Sequence, residues 1–234
     1  MGADRQSPDN LAEPLRTTLR NFCIVVAFGV AFGYIEAAVV VYLREIFHPD
    51  GFTFPMKVFG LGPLAKRILL TEIGREGATI VLILTGAWLF GRNRRQRVAY
   101  FLTIFAVWDI FYYVWLKVLI DWPASIMNWD ILFLIPVVWA SPLLYPVLLS
   151  VMMLAFAVVL LLRPPSAGLF KVTLADGIGF LASGLIVVLS FCLAGVHAAD
   201  EDFASHFYRS LFAAGVLLCL AVFAKCFVQS RRSA

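Results

Sequence analysis

The chain has 234 residues, of which 62% are hydrophobic and 15% charged, and its formal net charge is +4. A soluble domain needs more polar side chains to cover its surface, so the composition excludes that class and implies a polytopic membrane protein. The positive charge does not point to nucleic acid, because the basic residues cluster at the ends of apolar runs, as topology signals do.

In chain order, residues 1–20 are polar, carry Arg5, Arg16 and Arg20, and read as a tail. The first apolar run, from Asn21 to Leu43, has no small-residue cleavage site and reads as a retained span rather than a signal peptide. A connection rich in Gly, Pro and Phe follows. The second span is predicted from Leu69 to Phe90 and ends in "GRNRRQR"; the third runs from Val98 to Ile120. "DWPASIMNW" then turns the chain.

The stretch from Asp130 to Leu162 would make about 50 Å of helix, too long for a hydrocarbon core of about 30 Å. Pro136, Pro142 and Pro146 interrupt it. It is expected to divide into an interfacial or re-entrant piece up to Ala140 and a fourth span from Leu143 to Leu162. A fifth span covers Leu174–Val196, an acidic loop contains Asp200, Glu201 and Asp202, and a sixth span covers Phe207–Val228. Residues 229–234 form a second tail.

The predicted fold is therefore an all-α polytopic membrane protein with about six transmembrane helices in one domain, 21–228. Lys and Arg counts in the short loops put both termini on the cytoplasmic side of a plasma (inner) membrane. Trp115, Trp122, Trp129 and Trp139 would form an aromatic belt on the outer face. The four cysteines lie in apolar runs without a C-x-x-C and read as packing residues.

With this topology the acids are not scattered. Glu36, Glu72, Glu76, Asp109 and Asp130 all fall in the outer half of the membrane. Asp109, Tyr112, Tyr113 and Leu116 follow i, i+3, i+4, i+7 and share a helix face. Glu72, Glu76 and Thr79 do the same on the second span, with Arg75 beside them. Gly29 and Gly33 form a small-xxx-small pair that would set Glu36 in a helix–helix interface.

An ionisable residue deep in a span marks a functional site or a buried pair. Glu36 and Asp109 are the primary catalytic candidates, with each other as the expected opposite number, and Glu72 and Glu76 support them. Tyr112, Tyr113, Arg75 and Trp108 are the candidate substrate-binding residues. The structural alternatives are Glu36 paired with Arg75, Asp109 bonded to a tyrosine, and Asp130 as a helix cap. His48, His197 and His206 show no metal-ligand spacing and read as loop residues. No Walker loop, dinucleotide fingerprint or nucleophile elbow is present.

Three functions fit these residues. The first is an outward-opening intramembrane enzyme, in which the carboxylates act as acid and base on a lipid-like or extracytoplasmic substrate. In a metal-dependent version Glu36, Glu72, Glu76 and Asp109 would ligate a divalent cation. The second is a small transporter or ion-coupled carrier. The third is an assembly subunit bound to another membrane protein or to a second copy of itself.

Overall fold

The structure, a computed structural model, describes residues 8–49, 51–56, 62–162 and 172–232. Six α-helices dominate these residues: α1 (Pro8–Phe47), α2 (Pro63–Phe90), α3 (Arg94–Ile120), α4 (Leu144–Leu162), α5 (Leu174–Gly195) and α6 (Arg209–Arg232). A β-hairpin, β1 (Trp129–Phe133) and β2 (Trp139–Pro142), lies between α3 and α4, and a 3-10 turn, Phe203–His206, precedes α6.

Five helices are long and apolar enough to cross a membrane: α1 from Arg16, α3, α4, α5, and α6 with the turn before it. The expected second span is the exception. At 28 residues α2 has the length, but Lys66, Arg67, Glu72, Arg75 and Glu76 occupy its first half. Its apolar stretch begins only after Gly77. The helix α1 also begins well before the expected Asn21, within the stretch read as a tail.

Short connections make successive helices antiparallel. Between α2 and α3 the chain turns in three residues. Gly91 N–H donates to the Ala87 carbonyl, and the Asn93 side chain accepts from Gln96 N–H to cap α3. The hairpin, the starts of α2, α4 and α6 and the ends of α1, α3 and α5 therefore share one end of the bundle, called here the hairpin end.

The central helix is α3, which packs against α1, α2 and α4, while α5 and α6 form a second pair joined to the rest through the hairpin. The α1–α3 contact is close because of the glycine pair read from the sequence. A Cβ on Gly33 would stand 2.9 Å from the Trp108 carbonyl oxygen, and one on Gly29 would stand 2.9 Å from the Val107 side chain. Val25, Ile83, Tyr100, Ile104 and Trp108 fill the space between the first three helices. Tyr145, Val187, Phe191, Phe207 and Phe212 form a second core between α4, α5 and α6.

The hairpin is where an interfacial or re-entrant piece was expected before span 4. Asp130 pairs with Ser141, Ile131 with Ala140 and Phe133 with Trp139, with an irregularity between Ile131 and Phe133. The three prolines fit this arrangement. Pro136 lies in the tip, Pro142 ends β2, and Pro146 stands in the first turn of α4, where no helical N–H partner is lost. Two strands alone are marginal, so this pair depends on its surroundings. A Cβ on Gly195 would collide with the Val138 backbone, so the end of α5 seats directly on the hairpin.

The four tryptophans expected as a belt are half-buried and built into this end of the bundle. Trp115 Nε1 donates to the Val30 carbonyl at 3.0 Å. The Arg44 guanidinium lies 3.8 Å from the Trp122 ring centroid. Trp129 packs on Phe54 and Phe203, and Trp139 on Phe133 and Phe191.

Candidate functional site

A cavity of about 1350 Å³ opens between the two halves of the bundle. Its walls come from all six helices and the hairpin, and they are mostly apolar. Glu36, Arg44, Glu72, Arg75, Glu76, Asp109, Tyr112, Tyr113 and Asp130 all line it. The structure therefore brings the sequence-predicted acids to one cavity, but it distributes them among separate partners.

Glu36, on α1, does not meet Asp109. The Arg75 Nη1 donates to Glu36 Oε1, and Arg75 Nε donates to Glu72 Oε2 at 2.7 Å. Glu72 and Arg75 are three residues apart, so they share a face of α2 and present it to α1. This is the Glu36–Arg75 pair weighed from the sequence, with Glu72 added.

Asp109 bonds to neither a tyrosine nor another acid. Ser150 Oγ, on α4, donates to its Oδ2 at 2.8 Å. Tyr112 shares the Asp109 face but turns its hydroxyl to Asp130, donating to Oδ2 at 3.1 Å. Tyr113 packs edge-on against Tyr112.

Asp130 is not a helix cap. It sits on β1, is 2% exposed, and accepts from Arg44 Nη2 at 3.0 Å. A basic residue just past an apolar run has the look of a topology charge, but Arg44 lies in the last turn of α1 and is buried. A signal for it was present, because Glu36, Val40 and Arg44 recur every four residues and all three line the cavity. Nothing local marked Ser150 as the partner of Asp109, because that contact crosses between α3 and α4.

Glu76 is 6% exposed, and both of its oxygens accept from the Leu134 backbone N–H, at 3.1 and 2.9 Å. Leu134 follows the last residue of β1, where the strand ladder ends and leaves an N–H to be satisfied. The carboxylate thus closes the hairpin end of β1 onto α2.

Among the described residues Glu76 and Asp109 make no ion pair, whereas Glu36, Glu72 and Asp130 each have an arginine. Trp108, the remaining candidate, is 6% exposed and packs against Phe32, Phe105 and Phe133. Its Nε1 has no hydrogen-bond partner.

His48 lies just past α1 and lines the cavity. The His197 and His206 rings stack with centroids 3.7 Å apart in the loop between α5 and α6, each beside an aspartate, outside the cavity. No group of three or more His, Cys, Asp or Glu side chains able to hold a metal ion occurs among the described residues. Arg75 stands between Glu36 and Glu72, while Glu76 and Asp109 bond instead to the Leu134 N–H and the Ser150 hydroxyl.

No family model matches this chain, and neither the curated proteins nor the solved structures contain a significant match to it.

Proposed function

We propose that this membrane protein admits a lipid-like molecule into the cavity and acts on its polar end by acid/base chemistry. The supporting observation is the continuity of one cavity from an apolar wall to two carboxylates without ion-pair partners. Its volume of about 1350 Å³ exceeds the roughly 300–1,000 Å³ of an ordinary small-molecule site. Leu69, 47% exposed, and the exposed Gly184 belong to its lining, so it opens toward the lipid-facing side of the bundle.

Glu76 and Asp109 are the acid/base residues of this reading. Each is held by a single neutral donor, which leaves the carboxylate able to take or deliver a proton. Glu36 and Glu72 fix Arg75, and Asp130 fixes Arg44; the two guanidinium groups then provide positive charge for an oxyanion developing in the cavity.

The test has two parts. A phospholipid with a photoactivatable group at its chain end should label Phe105, Met153 or Phe180, which line the cavity. Labelling confined to outward residues such as Leu89, 83% exposed, would count against the reading. Incubation of the reconstituted protein with a total lipid extract should change one lipid species, and Glu76→Gln with Asp109→Asn should abolish the change.

One observation favours a carrier instead. The cavity lining continues to Arg94 and Arg95, at the end of α3 opposite the hairpin. A lining that reaches both ends suits passage of an amphiphile between leaflets. Lipid translocation in vesicles that persists in the Glu76→Gln, Asp109→Asn protein would support the carrier over the enzyme.

A further inference from the structure

The charged residues that line the cavity differ in exposure according to their sign. Its acids, and the two arginines that serve them, are buried or half-buried. Among the described residues, the charged side chains that are both exposed and part of the lining are Lys66 and Arg94. Lys66 stands in the first turn of α2, at the hairpin end, and Arg94 opens α3 at the opposite end. Arg95, half-buried, follows Arg94 in the lining. The described acids that are exposed, Glu45, Asp121, Asp200, Glu201 and Asp202, all lie outside it. Each end of the cavity thus has a basic rim.

Local structure does not account for these two cations. Neither makes an ion pair with a described residue. Both occupy the first turn of a helix, where the helix dipole disfavours positive charge, and neither first turn carries an acid. Topology calls for basic residues on one side of a membrane, whereas these stand at opposite ends of the bundle. A basic rim on an apolar cavity attracts an anionic head and repels a cationic one. Lysine meets a phosphate as a point charge and arginine as a fork. Glu76 and Asp109, deeper and without cations, oppose further travel of that charge. The head then stays at the rim while the chains enter, and the part of the polar end nearest the chains is what approaches the acids. We infer that the amphiphile is an anionic phospholipid, its phosphate recognised by Lys66 at one rim and by Arg94 with Arg95 at the other. This rests on the amphiphile reading above and names its head group.

The test uses the full chain in phosphatidylcholine nanodiscs, doped with phosphatidylglycerol or diacylglycerol that carries a photoactivatable group at its chain end. The readout is the mole fraction of probe that half-saturates labelling of Phe105, Met153 and Phe180 in the cavity. Phosphatidylglycerol should reach it at a fraction at least fivefold lower than diacylglycerol. The double variant Lys66→Gln, Arg94→Gln removes one cation from each rim. It should raise the phosphatidylglycerol fraction about fivefold, the ordinary worth of one basic residue beside an anionic head, and leave diacylglycerol within twofold. The control is Arg67→Gln, Arg92→Gln, which removes the same charge from exposed neighbours outside the lining and should leave both probes within twofold. All four positions are exposed, so both double variants should fold as wild type does. Equal half-saturation by the two probes in wild type overturns the inference, as does an equal effect of the two double variants on phosphatidylglycerol. In either case the cavity still admits an amphiphile. Absence of cavity labelling by both probes removes the amphiphile reading and this inference with it.

Discussion

The two ends of the bundle satisfy their buried polar groups in different ways. At the hairpin end the partners come from distant parts of the chain: Arg44 with Asp130, Glu36 with Arg75, Glu76 with Leu134, Asp109 with Ser150. Elsewhere they are mostly local, the Lys225–Asp176 ion pair between α6 and α5 being the exception. Thr173 and Asp176 form a capping box at the start of α5, and Lys225 from the facing α6 completes it at 2.6 Å. Thr103, Ser183 and Ser190 donate to carbonyls three or four residues back in their own helices. Local satisfaction stabilises helices and depends little on how they pack. Long-range satisfaction costs more to assemble and leaves some groups incompletely paired, and those are the ones the proposed chemistry uses.

This contrast can be broken most directly at Arg44. Replacing it by Met leaves Asp130 charged, 2% exposed and without a cation, and should cost about 3–5 kcal/mol in thermal unfolding of the detergent-solubilised protein. A loss below about 1 kcal/mol would mean that the hairpin end tolerates an unpaired charge and that the contrast has no energetic content.

Gly33→Ala comes next. The added Cβ would press on the Trp108 carbonyl and the Tyr112 amide, which cannot yield without moving α3. Overpacking of this kind costs about 1–3 kcal/mol. The same substitution at Gly184, which has open space beside it, should leave the melting temperature unchanged and provides the control.

At the opposite end, Thr173→Ala should cost about 1 kcal/mol, the usual worth of an N-cap side chain. A loss as large as that of Arg44→Met would erase the difference between the two ends. Glu76→Gln and Asp109→Asn sharpen the comparison in the other sense. Each amide retains an oxygen to accept the existing hydrogen bond, so stability should change by less than about 1 kcal/mol while lipid turnover is lost.

The smallest effect belongs to Lys117 and Asp121, an exposed pair at the end of α3. Hydrogen bonding and the nearby charge of Lys117 lower the Asp121 carboxyl below its ordinary range. A depressed folded-state value means a contribution present above about pH 4 and lost as pH falls through the lowered value. Because both side chains are exposed, Lys117→Ala should leave the melting temperature at pH 7 within experimental error, and its only trace should be a shallower acid limb below pH 4. A clear drop at pH 7 would show that surface pairs matter here as much as buried ones.

Much of the architecture was legible one residue at a time. Long apolar runs need backbone hydrogen bonds inside the segment, so they form helices, and breaks between them fall where Pro, Gly and charge accumulate. The glycine pair of α1 marked the α1–α3 contact because close approach excludes a Cβ. The face carrying Asp109, Tyr112 and Tyr113 followed from the helical period alone. The β-hairpin was not legible, because Asp130 to Pro142 has no clean two-residue alternation and its contacts with α1, α2, α3 and α5 hold it in shape. Nor was the pairing of the acids. Helical spacing fixes which residues share a face, but it carries no information about which face of another helix stands opposite. Glu36 therefore went to Arg75 rather than to Asp109, and Arg44 moved from a topology charge to a buried partner of Asp130.

By itself the sequence determined that this chain is a membrane-spanning helical bundle and that Glu36, Glu72, Glu76, Asp109 and Asp130 fall toward one end, because hydropathy and helical period act within a segment. Only the tertiary structure decided which acids have an arginine partner and which do not. That depends on a hairpin whose register and docking are set by contacts between residues far apart in the chain.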